Sequence, residues 1–247
     1  MHHALVTGAS RGIGLAITSQ LTSSNTRVTA LSRTVNLSSR DSEALVHPVA
    51  VDVGDRSSLS AVLSNSVKEL GLLKKVVANA GICKRAALGD RDADDVWDST
   101  MRVNLTGVYN TIKAAYPFLA PGARIVVVSS ALGKEGRETY SAYSASKHGL
   151  LGLVRSLAIE LAPKGYFINS VCPGWVDTDM AEKDLLETSR RSGVSLDAVR
   201  KQACSQIPMG RFVQPGEVAS LVCWLLSDNC SAITGQSYNI GGGQSMS

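Results

Sequence analysis

The chain has 247 residues, of which 44% are hydrophobic and 19% are charged, and its formal net charge is +4. This length suits one α/β domain with a buried core, so we expect a single domain over residues 1–247. The mild charge disfavours nucleic acid as a partner, and no apolar run approaches the ~20 residues that cross a bilayer. Because the first four residues lack the features of a signal peptide, we expect a cytoplasmic protein.

Strand and helix patterns alternate along the chain. Apolar strands are predicted from Ala4 and over 27–32, 47–52, 75–79, 124–130, 167–172 and 236–240. Helical spacing predicts helices over 15–21, 57–70, 94–119, 144–161 and 215–226. Strands that alternate with helices imply a parallel sheet covered on both faces, so we expect a doubly wound α/β fold.

The cysteines do not indicate a disulfide framework or a metal site. They are widely spaced and contain no C-x-x-C pair: Cys83, Cys172, Cys204, Cys223 and Cys230. We interpret them as small apolar packing residues and predict no metal.

A glycine-rich turn follows the first predicted strand, in the run Ala4-Leu-Val-Thr-Gly8-Ala-Ser-Arg-Gly12-Ile-Gly14. Glycines let the backbone approach a pyrophosphate closely, and amide groups at the following helix N-terminus meet its charge. The spacing G-x-x-x-G-x-G differs from the common fingerprint G-x-G-x-x-G. The turn therefore indicates a nucleotide site, although by itself it is a modest signal.

A tyrosine and a lysine stand four residues apart in Tyr143-Ser-Ala-Ser-Lys147. On a helix they share one face, so the ammonium is expected beside the phenol, where a fixed cation lowers the tyrosine pKa. Such a tyrosine could exchange protons with an alcohol or ketone near neutral pH. Ser130, at the end of an apolar strand, could hydrogen-bond the same substrate oxygen. Tyr140 is a weaker candidate because position 144 is serine and supplies no lysine partner.

Three further motifs lie between and beyond these two: Ala78-Asn79-Ala80-Gly81, Asn104 in a helical stretch, and Pro173-Gly174-Trp-Val-Asp-Thr178. In order and spacing, the five motifs resemble the short-chain dehydrogenase/reductase family, from Thr7 to Gly243. The resemblance implies a Rossmann-type sheet and a catalytic tetrad, whose members would be Asn104, Ser130, Tyr143 and Lys147. It also implies cofactor contacts from Gly8, Ser10, Arg11, Gly12, Ile13, Gly14, Ser32, Arg33, Asp52, Val53, Asn79, Ala80, Gly81, Tyr143, Lys147, Pro173, Gly174, Val176 and Thr178.

The family resemblance also assigns separate tasks to some of these residues. Asn79 would steady the central sheet, Asn104 would hold a water that links Lys147 to solvent, and Thr178 would bind the cofactor carboxamide. A homotetramer is implied as well, with the long helices after Asp94 and Tyr143 at one interface.

The residue after the second strand normally separates the two nicotinamide cofactors, since an acid binds a free ribose hydroxyl and an arginine accepts a 2'-phosphate. Here the chain has Ser32-Arg33, with Arg11 in the glycine turn as a second cation. We therefore expect NADP(H), with NAD(H) as the alternative.

The substrate is less well defined by the sequence. Segments 143–149, 171–174 and 207–215 resemble ketoreductases of aromatic polyketide and fatty-acid synthesis, which reduce a 3-ketoacyl thioester. Two alternatives remain open: an NAD-dependent dehydrogenase that oxidises a secondary alcohol or diol, and a cofactor-binding regulator without turnover. Arg85, Arg91 or the Arg190-Arg191 pair would meet an acyl-carrier phosphate or serve as ordinary surface charge.

The segment from about 180 to 207 has a more charged composition than its surroundings. We expect a helical lid over the substrate, because functional insertions tend to lie beyond strand ends. The alternative is a solvated helical excursion.

Overall fold

The computed structural model describes residues 1–34 and 43–245, which form a parallel sheet flanked by helices. The strands are β1 His2–Thr7, β2 Thr26–Ser32, β3 Val46–Ala50, β4 Leu73–Ala78, β5 Leu119–Val128, β6 Phe167–Pro173 and β7 Ser237–Ile240. They lie in the order β3-β2-β1-β4-β5-β6-β7. This order confirms the predicted doubly wound, Rossmann-type fold.

Helices cover both faces of this sheet. They are α1 Gly12–Ser23, α2 Arg56–Leu70, α3 Ala93–Met101, α4 Gly107–Ala115, α5 Ser141–Leu161, α6 Asp179–Ser192, α7 Leu196–Ser205 and α8 Pro215–Leu225. Successive strand residues point to opposite faces of the sheet. Because both faces are buried under helices, both are apolar, and the strands appear in the sequence as unbroken apolar runs. In β1, Leu5 packs among residues of α2, α4 and α5, whereas Val6 packs among residues of α1 and α8.

The single long helix predicted over 94–119 is wrong in two respects. A π-helical turn over Arg102–Thr106 separates α3 from α4, and α4 ends at Ala115. Pro117 lies in the short 3₁₀ turn that follows, where its missing N–H would have broken a continuing α-helix. β5 accordingly begins at Leu119, opposite Leu73, rather than at the predicted residue 124.

The segment beyond β6 is helical, as the sequence indicates. α6 and α7 pack against each other through Leu185, Val199 and Ala203, and Phe212 closes the same small core. This core is separate from the two cores on the faces of the sheet. Within the described residues, no helix is long and apolar enough to span a membrane, and no cluster of His, Cys, Asp and Glu could hold a metal ion.

Candidate active site

Two adjoining cavities open at the carboxyl ends of the strands. We call the first the tyrosine cavity, because Ser130, Tyr143 and Lys147 line it. The second, the glycine cavity, is lined by the turn after β1 together with Arg33 and Asp52. Both are lined by Ile13, Asn79, Gly81, Thr178 and Met180, so they form one cleft. The cleft lies at β1 and β4, where the strand order reverses and ligands bind in folds of this kind.

Nearly all of the sequence-predicted site residues line this cleft. The exceptions are Gly14 and Asn104, which line neither cavity. Gly14 packs under the glycine turn, since a Cβ atom there would lie 2.1 Å from the Gly8 carbonyl oxygen. Both residues thus support the cleft from behind.

The turn between β1 and α1 forms a cradle that only glycines fit. Gly8 has a φ of +66°, and a Cβ atom there would lie 2.9 Å from the Ala80 Cα. The amide of Asn79 donates to the carbonyl oxygens of Thr7 (2.9 Å) and Gly8 (3.2 Å), which ties β4 to this turn. The Arg11 side chain makes no capping hydrogen bond at the N-terminus of α1 among the described residues. A pyrophosphate fits these uncapped amide groups.

Asp52 lies at the far end of the glycine cavity and is held by two donors. The Gly54 N–H donates to its Oδ1 at 2.8 Å, and Arg102 Nη1 lies 3.0 Å from its Oδ2. Burial acts to raise the Asp52 pKa, but these two hydrogen bonds and the charges of Arg102 and Arg33 hold it below its usual value. Asp52 is therefore an anionic acceptor. Arg102 was not predicted, because nothing in the local sequence distinguishes it from a surface residue.

The Ser130, Tyr143 and Lys147 side chains meet in the tyrosine cavity. Ser130 follows β5, and its Oγ accepts a hydrogen bond from the Leu132 N–H at 3.1 Å. Tyr143 and Lys147 lie one turn apart on α5. Lys147 is buried, and its Nζ donates to the Val128 carbonyl oxygen at 2.9 Å. The ammonium lies 5.7 Å from the centroid of the Tyr143 ring.

Asn104 lies behind this group, in the π-helical turn. Its Oδ1 accepts from the Ile82 N–H at 2.8 Å, and its Nδ2 donates to the Ile82 carbonyl oxygen (2.8 Å) and to Ser146 Oγ (3.2 Å). Asn104 thereby joins the loop after β4 to α5. Both amide hydrogens are engaged, and Oδ1 retains capacity for one further donor. Single π-helical turns occur frequently at functional sites.

The expectation that Lys147 lowers the pKa of Tyr143 is wrong for this structure. Burial raises the Tyr143 pKa, the neighbouring Cys83 adds to the rise, and a hydrogen bond with Ser130 opposes it. The Lys147 ammonium lies over the ring and donates its hydrogen bond to the Val128 carbonyl oxygen rather than to the Tyr143 hydroxyl. Burial also lowers the pKa of Lys147, to about 8. Tyr143 is therefore a protonated phenol near neutral pH.

The wall of the tyrosine cavity contains residues that the motifs do not indicate. The Tyr140 hydroxyl lies 2.6 Å from both carboxylate oxygens of Asp184 and donates to that carboxylate. Arg85 Nη1 lies 3.8 Å from Asp184 and donates to Thr188 Oγ1 at 2.7 Å. Asp184 and Thr188 belong to α6, so this network fastens α6 beside the start of α5. Arg85 lines neither cavity; it is engaged in the contacts that support this wall rather than free to meet a phosphate.

Cys83 and Gln244 also line the tyrosine cavity. Burial raises the pKa of the Cys83 thiol to about 12, so it is a neutral neighbour of Tyr143 and not a nucleophile. The sequence interpretation of Cys83 as a packing residue did not anticipate its place in the cavity. No local signal would have shown it, because Cys83 reaches Tyr143 only through the fold.

Known proteins resemble this chain over nearly its full length. A family model described as Enoyl-(Acyl carrier protein) reductase matches residues 8–245. A 3-oxoacyl-(acyl-carrier-protein) reductase of Thermotoga maritima is 37% identical over 248 residues, which are 97% of this chain and 96% of that protein.

Two solved structures are similar in fold. One is a variant of actinorhodin polyketide ketoreductase with NADPH, at a TM-score of 0.90 and 34% identity over 98% of this chain and 97% of that one. The other is the aldohexose dehydrogenase of Thermoplasma acidophilum in ligand-free form, at a TM-score of 0.90 and 30% identity over 98% and 93%. Together with the motifs, the sheet order and the arrangement of the cleft, these similarities place the chain in the short-chain dehydrogenase/reductase family of NAD(P)H-using oxidoreductases.

Proposed function

We propose that this protein is an NADPH-dependent reductase that converts a ketone to a secondary alcohol. The observation that carries the proposal is the meeting of Ser130, Tyr143 and Lys147 in one cavity beside the glycine cradle. The proposed substrate is a 3-ketoacyl thioester or a related polyketide-type carbonyl. This class is supported by the names of the Thermotoga and actinorhodin relatives.

The cofactor would be held along the cleft. The cradle and the first turn of α1 would bind the pyrophosphate, Asp52 the adenine end, and Lys147 the nicotinamide ribose. Arg33 and Arg11, which both line the glycine cavity, would pair with a 2'-phosphate. Thr178 would orient the carboxamide from the other wall. When bound, NADPH supplies the hydride that reduces the carbonyl carbon.

The side chains of the tyrosine cavity would handle the proton. Tyr143 donates its phenolic hydrogen to the carbonyl oxygen, and Ser130 holds that oxygen by a hydrogen bond as charge develops on it. A raised pKa suits Tyr143 to this role because it keeps the donor protonated. Lys147, whose pKa burial lowers to about 8, would help to return a proton to the phenolate that remains. Asn104 would hold a water that reconnects Lys147 to solvent.

Oxidation of an alcohol with NAD is the second candidate, and the resemblance to aldohexose dehydrogenase favours it. In that direction Tyr143 must first lose its proton. Burial opposes this loss, so the protonated Tyr143 is ready to act in the direction of reduction near neutral pH. A regulator without turnover would not need Ser130, Tyr143 and Lys147 in one cavity.

The deciding measurement is the initial rate of NADPH and NADH oxidation with a short 3-ketoacyl thioester and, in parallel, a plain cyclic ketone. We expect NADPH and the thioester to give the fastest rate. Tyr143→Phe should lower kcat by about 100-fold or more, because general acid catalysis contributes on that order. Tyr166→Phe, which also deletes one phenolic hydroxyl, serves as the control. Near-normal turnover of Tyr143→Phe would remove Tyr143 as the proton donor.

The cofactor assignment has its own test. Arg33→Asp should lower the ratio of kcat/KM for NADPH to that for NADH by about 100-fold, since a charge-assisted pair is lost and an acid is placed opposite the phosphate. Lys68→Asp makes the same change of charge in the last turn of α2, outside both cavities, and should leave the ratio unchanged. If Arg33→Asp also leaves it unchanged, Arg33 is a surface cation and NAD(H) becomes the preferred assignment.

We also propose that residues 180–207 act as a lid and that the protein is a homotetramer. Exposed apolar side chains on three helices support the second proposal: Trp97 on α3, Tyr109 on α4 and Ile159 on α5 are 44%, 40% and 79% exposed. Where exposed apolar side chains form one patch, they mark a surface that a second copy can cover. Light scattering of the purified protein would give the mass directly, and a monomer at assay concentrations would overturn the proposal.

A further inference from the structure

We propose that Arg137 recognises an anionic group on the substrate, at the wall of the tyrosine cavity. The anionic group is a carboxylate or a phosphate, that is, a planar or branched set of charged oxygens away from the reacting carbonyl. This inference rests on the proposed reductase function and names one feature of its substrate.

Arg137 lines the same cavity as Tyr143 and Ser130, in the loop that precedes α5. Its guanidinium carbon lies 5.3 Å from the ring centroid of Tyr140 and 5.4 Å from that of Trp175. Arginine favours such positions over aromatic rings. The two rings therefore position a cation beside the reacting groups.

Both rings are themselves fixed. Tyr140 is 2% exposed, and its hydroxyl is bound to Asp184. Trp175 stacks on Phe212, with 5.2 Å between centroids and 11° between planes. A guanidinium held by two fixed rings loses less conformational freedom on binding a ligand than a free surface arginine does.

The hydrogen-bond donors of Arg137 are unused. Among the described residues it makes no hydrogen bond and no ion pair; its contacts are with the two rings. Asp184, which lines the same cavity, is already paired with Tyr140 and Arg85. Glu135 also lines the cavity, but it is exposed and forms no ion pair with Arg137 within the described part of the chain. No described carboxylate therefore neutralises Arg137.

These features match the recognition of an oxyanion. A guanidinium carries five N–H donors in a planar fork, which fits carboxylate and phosphate oxygens in a bidentate way. Lys147 cannot take this role, since it is buried and bound to the Val128 carbonyl oxygen. Arg137 is therefore a specificity-determining residue, and it takes no part in proton or hydride transfer.

Three probes with a common 3-keto group test the proposal: a free 3-keto acid, its coenzyme A thioester, and its uncharged N-acetylcysteamine thioester. The readout is the ratio of kcat/KM for each anionic probe to kcat/KM for the uncharged one, so that a general loss of activity cancels. Arg137→Gln should lower at least one ratio by about tenfold, the size expected for a charge-assisted hydrogen bond. Arg137→Lys should lower it less, and Arg155→Gln, at an exposed arginine of α5 outside both cavities, should not lower it.

The pattern of losses identifies the source of the anion. A loss confined to the keto acid assigns a substrate carboxylate, and a loss confined to the coenzyme A thioester assigns a phosphate of the carrier arm. If both ratios stay within about twofold of those of the unsubstituted protein, or if Arg155→Gln lowers them equally, the inference is overturned. If no probe is reduced with either cofactor, the proposed function has failed instead. If the uncharged probe is reduced but neither anionic probe is, the inference is overturned and the proposed function still holds. The two failures therefore remain distinct.

Discussion

The two halves of the cleft are built in different ways. At the glycine cavity and in the turn that supports it, main chain meets main chain: a Cβ atom on Gly8 would lie 2.9 Å from the Ala80 Cα, and one on Gly14 would lie 2.1 Å from the Gly8 oxygen. In the tyrosine cavity, the wall is made of side chains such as Tyr140 and Asp184, which come from separate elements and meet through a hydrogen bond. The glycine cavity is thus built from the backbone of the fold, whereas the tyrosine cavity is built from side chains that can be replaced one at a time.

The largest effect should come from adding one methyl group behind the glycine turn. Gly14→Ala should lower the free energy of unfolding by about 3 kcal/mol, at the upper end of overpacking costs, because the new Cβ meets a main-chain oxygen that cannot rotate away. The measurement is equilibrium unfolding in urea.

Gly216→Ala, in the first turn of α8, is the matched control for Gly14→Ala. Nothing lies within 4 Å of the methyl group it would add. The change should stabilise the protein by up to about 1 kcal/mol, since alanine is the better helix former. Equal stabilities for the two variants would mean that the glycine cradle is not sterically closed.

A smaller effect is expected at the wall of the tyrosine cavity. Tyr140→Phe removes the hydroxyl that donates to Asp184, and a hydrogen bond to a charged group contributes about 1.5–3 kcal/mol. The free energy of unfolding should fall by about this amount, and α6 should become more sensitive to limited proteolysis. Tyr166→Phe deletes a hydroxyl without a hydrogen bond in the described residues and should change stability by less than about 0.5 kcal/mol.

The pair can be tested further with Asp184→Asn. If Tyr140 and Asp184 act together, the double variant should be less destabilised than the sum of the two single variants by about 1 kcal/mol. Additive losses would show that the hydrogen bond does not fasten α6. Some contact other than that with Asp184 would then have to hold the Tyr140 ring against Arg137.

This contrast also explains what the sequence could predict. The alternation of strands and helices and the glycine turn were predictable because each depends on neighbouring residues: apolar runs, helical spacing and glycines at a strand end. The Tyr143–Lys147 pair was predictable for the same reason. Its electrostatics were not, because they depend on the Val128 carbonyl, which binds the ammonium 19 positions away in the chain.

The residues that form and support the wall of the tyrosine cavity cannot be identified from local sequence patterns. Arg85 contacts Thr188 across 103 positions of sequence, and Tyr140 contacts Asp184 across 44. The π-helical turn at Asn104 was likewise hidden, since its residues suit an α-helix and only the hydrogen bonds with Ile82 and Ser146 show why the helix is interrupted there. Long-range contacts of this kind depend on the completed fold, so no pattern along the chain could have predicted them.

The smallest effect is expected at the amino ends of the strands, opposite the cleft. A change there tests the stability of the fold without touching the cleft. His3, at the amino end of β1, is buried, with Nδ1 2.7 Å from the Gly71 carbonyl oxygen and Nε2 2.9 Å from Thr29 Oγ1. Burial lowers its pKa below the ordinary 6.5, the hydrogen bond to Gly71 opposes this, and the charges of Arg27 and His47 add to the lowering. The folded protein therefore favours neutral His3.

It follows that the unfolded chain binds more protons than the folded one as the pH falls through 6.5, so the stability contributed by neutral His3 is complete above that pH and is lost below it. The slope from this one group cannot exceed about 1.4 kcal/mol per pH unit. Between pH 7.5 and 5, the free energy of unfolding in urea should therefore decline less steeply for His3→Gln than for the unsubstituted protein. The control His2→Gln should show the same decline as the unsubstituted protein. An unchanged slope in His3→Gln would show that this histidine does not link folding to pH, and that acid sensitivity must come from other titratable groups.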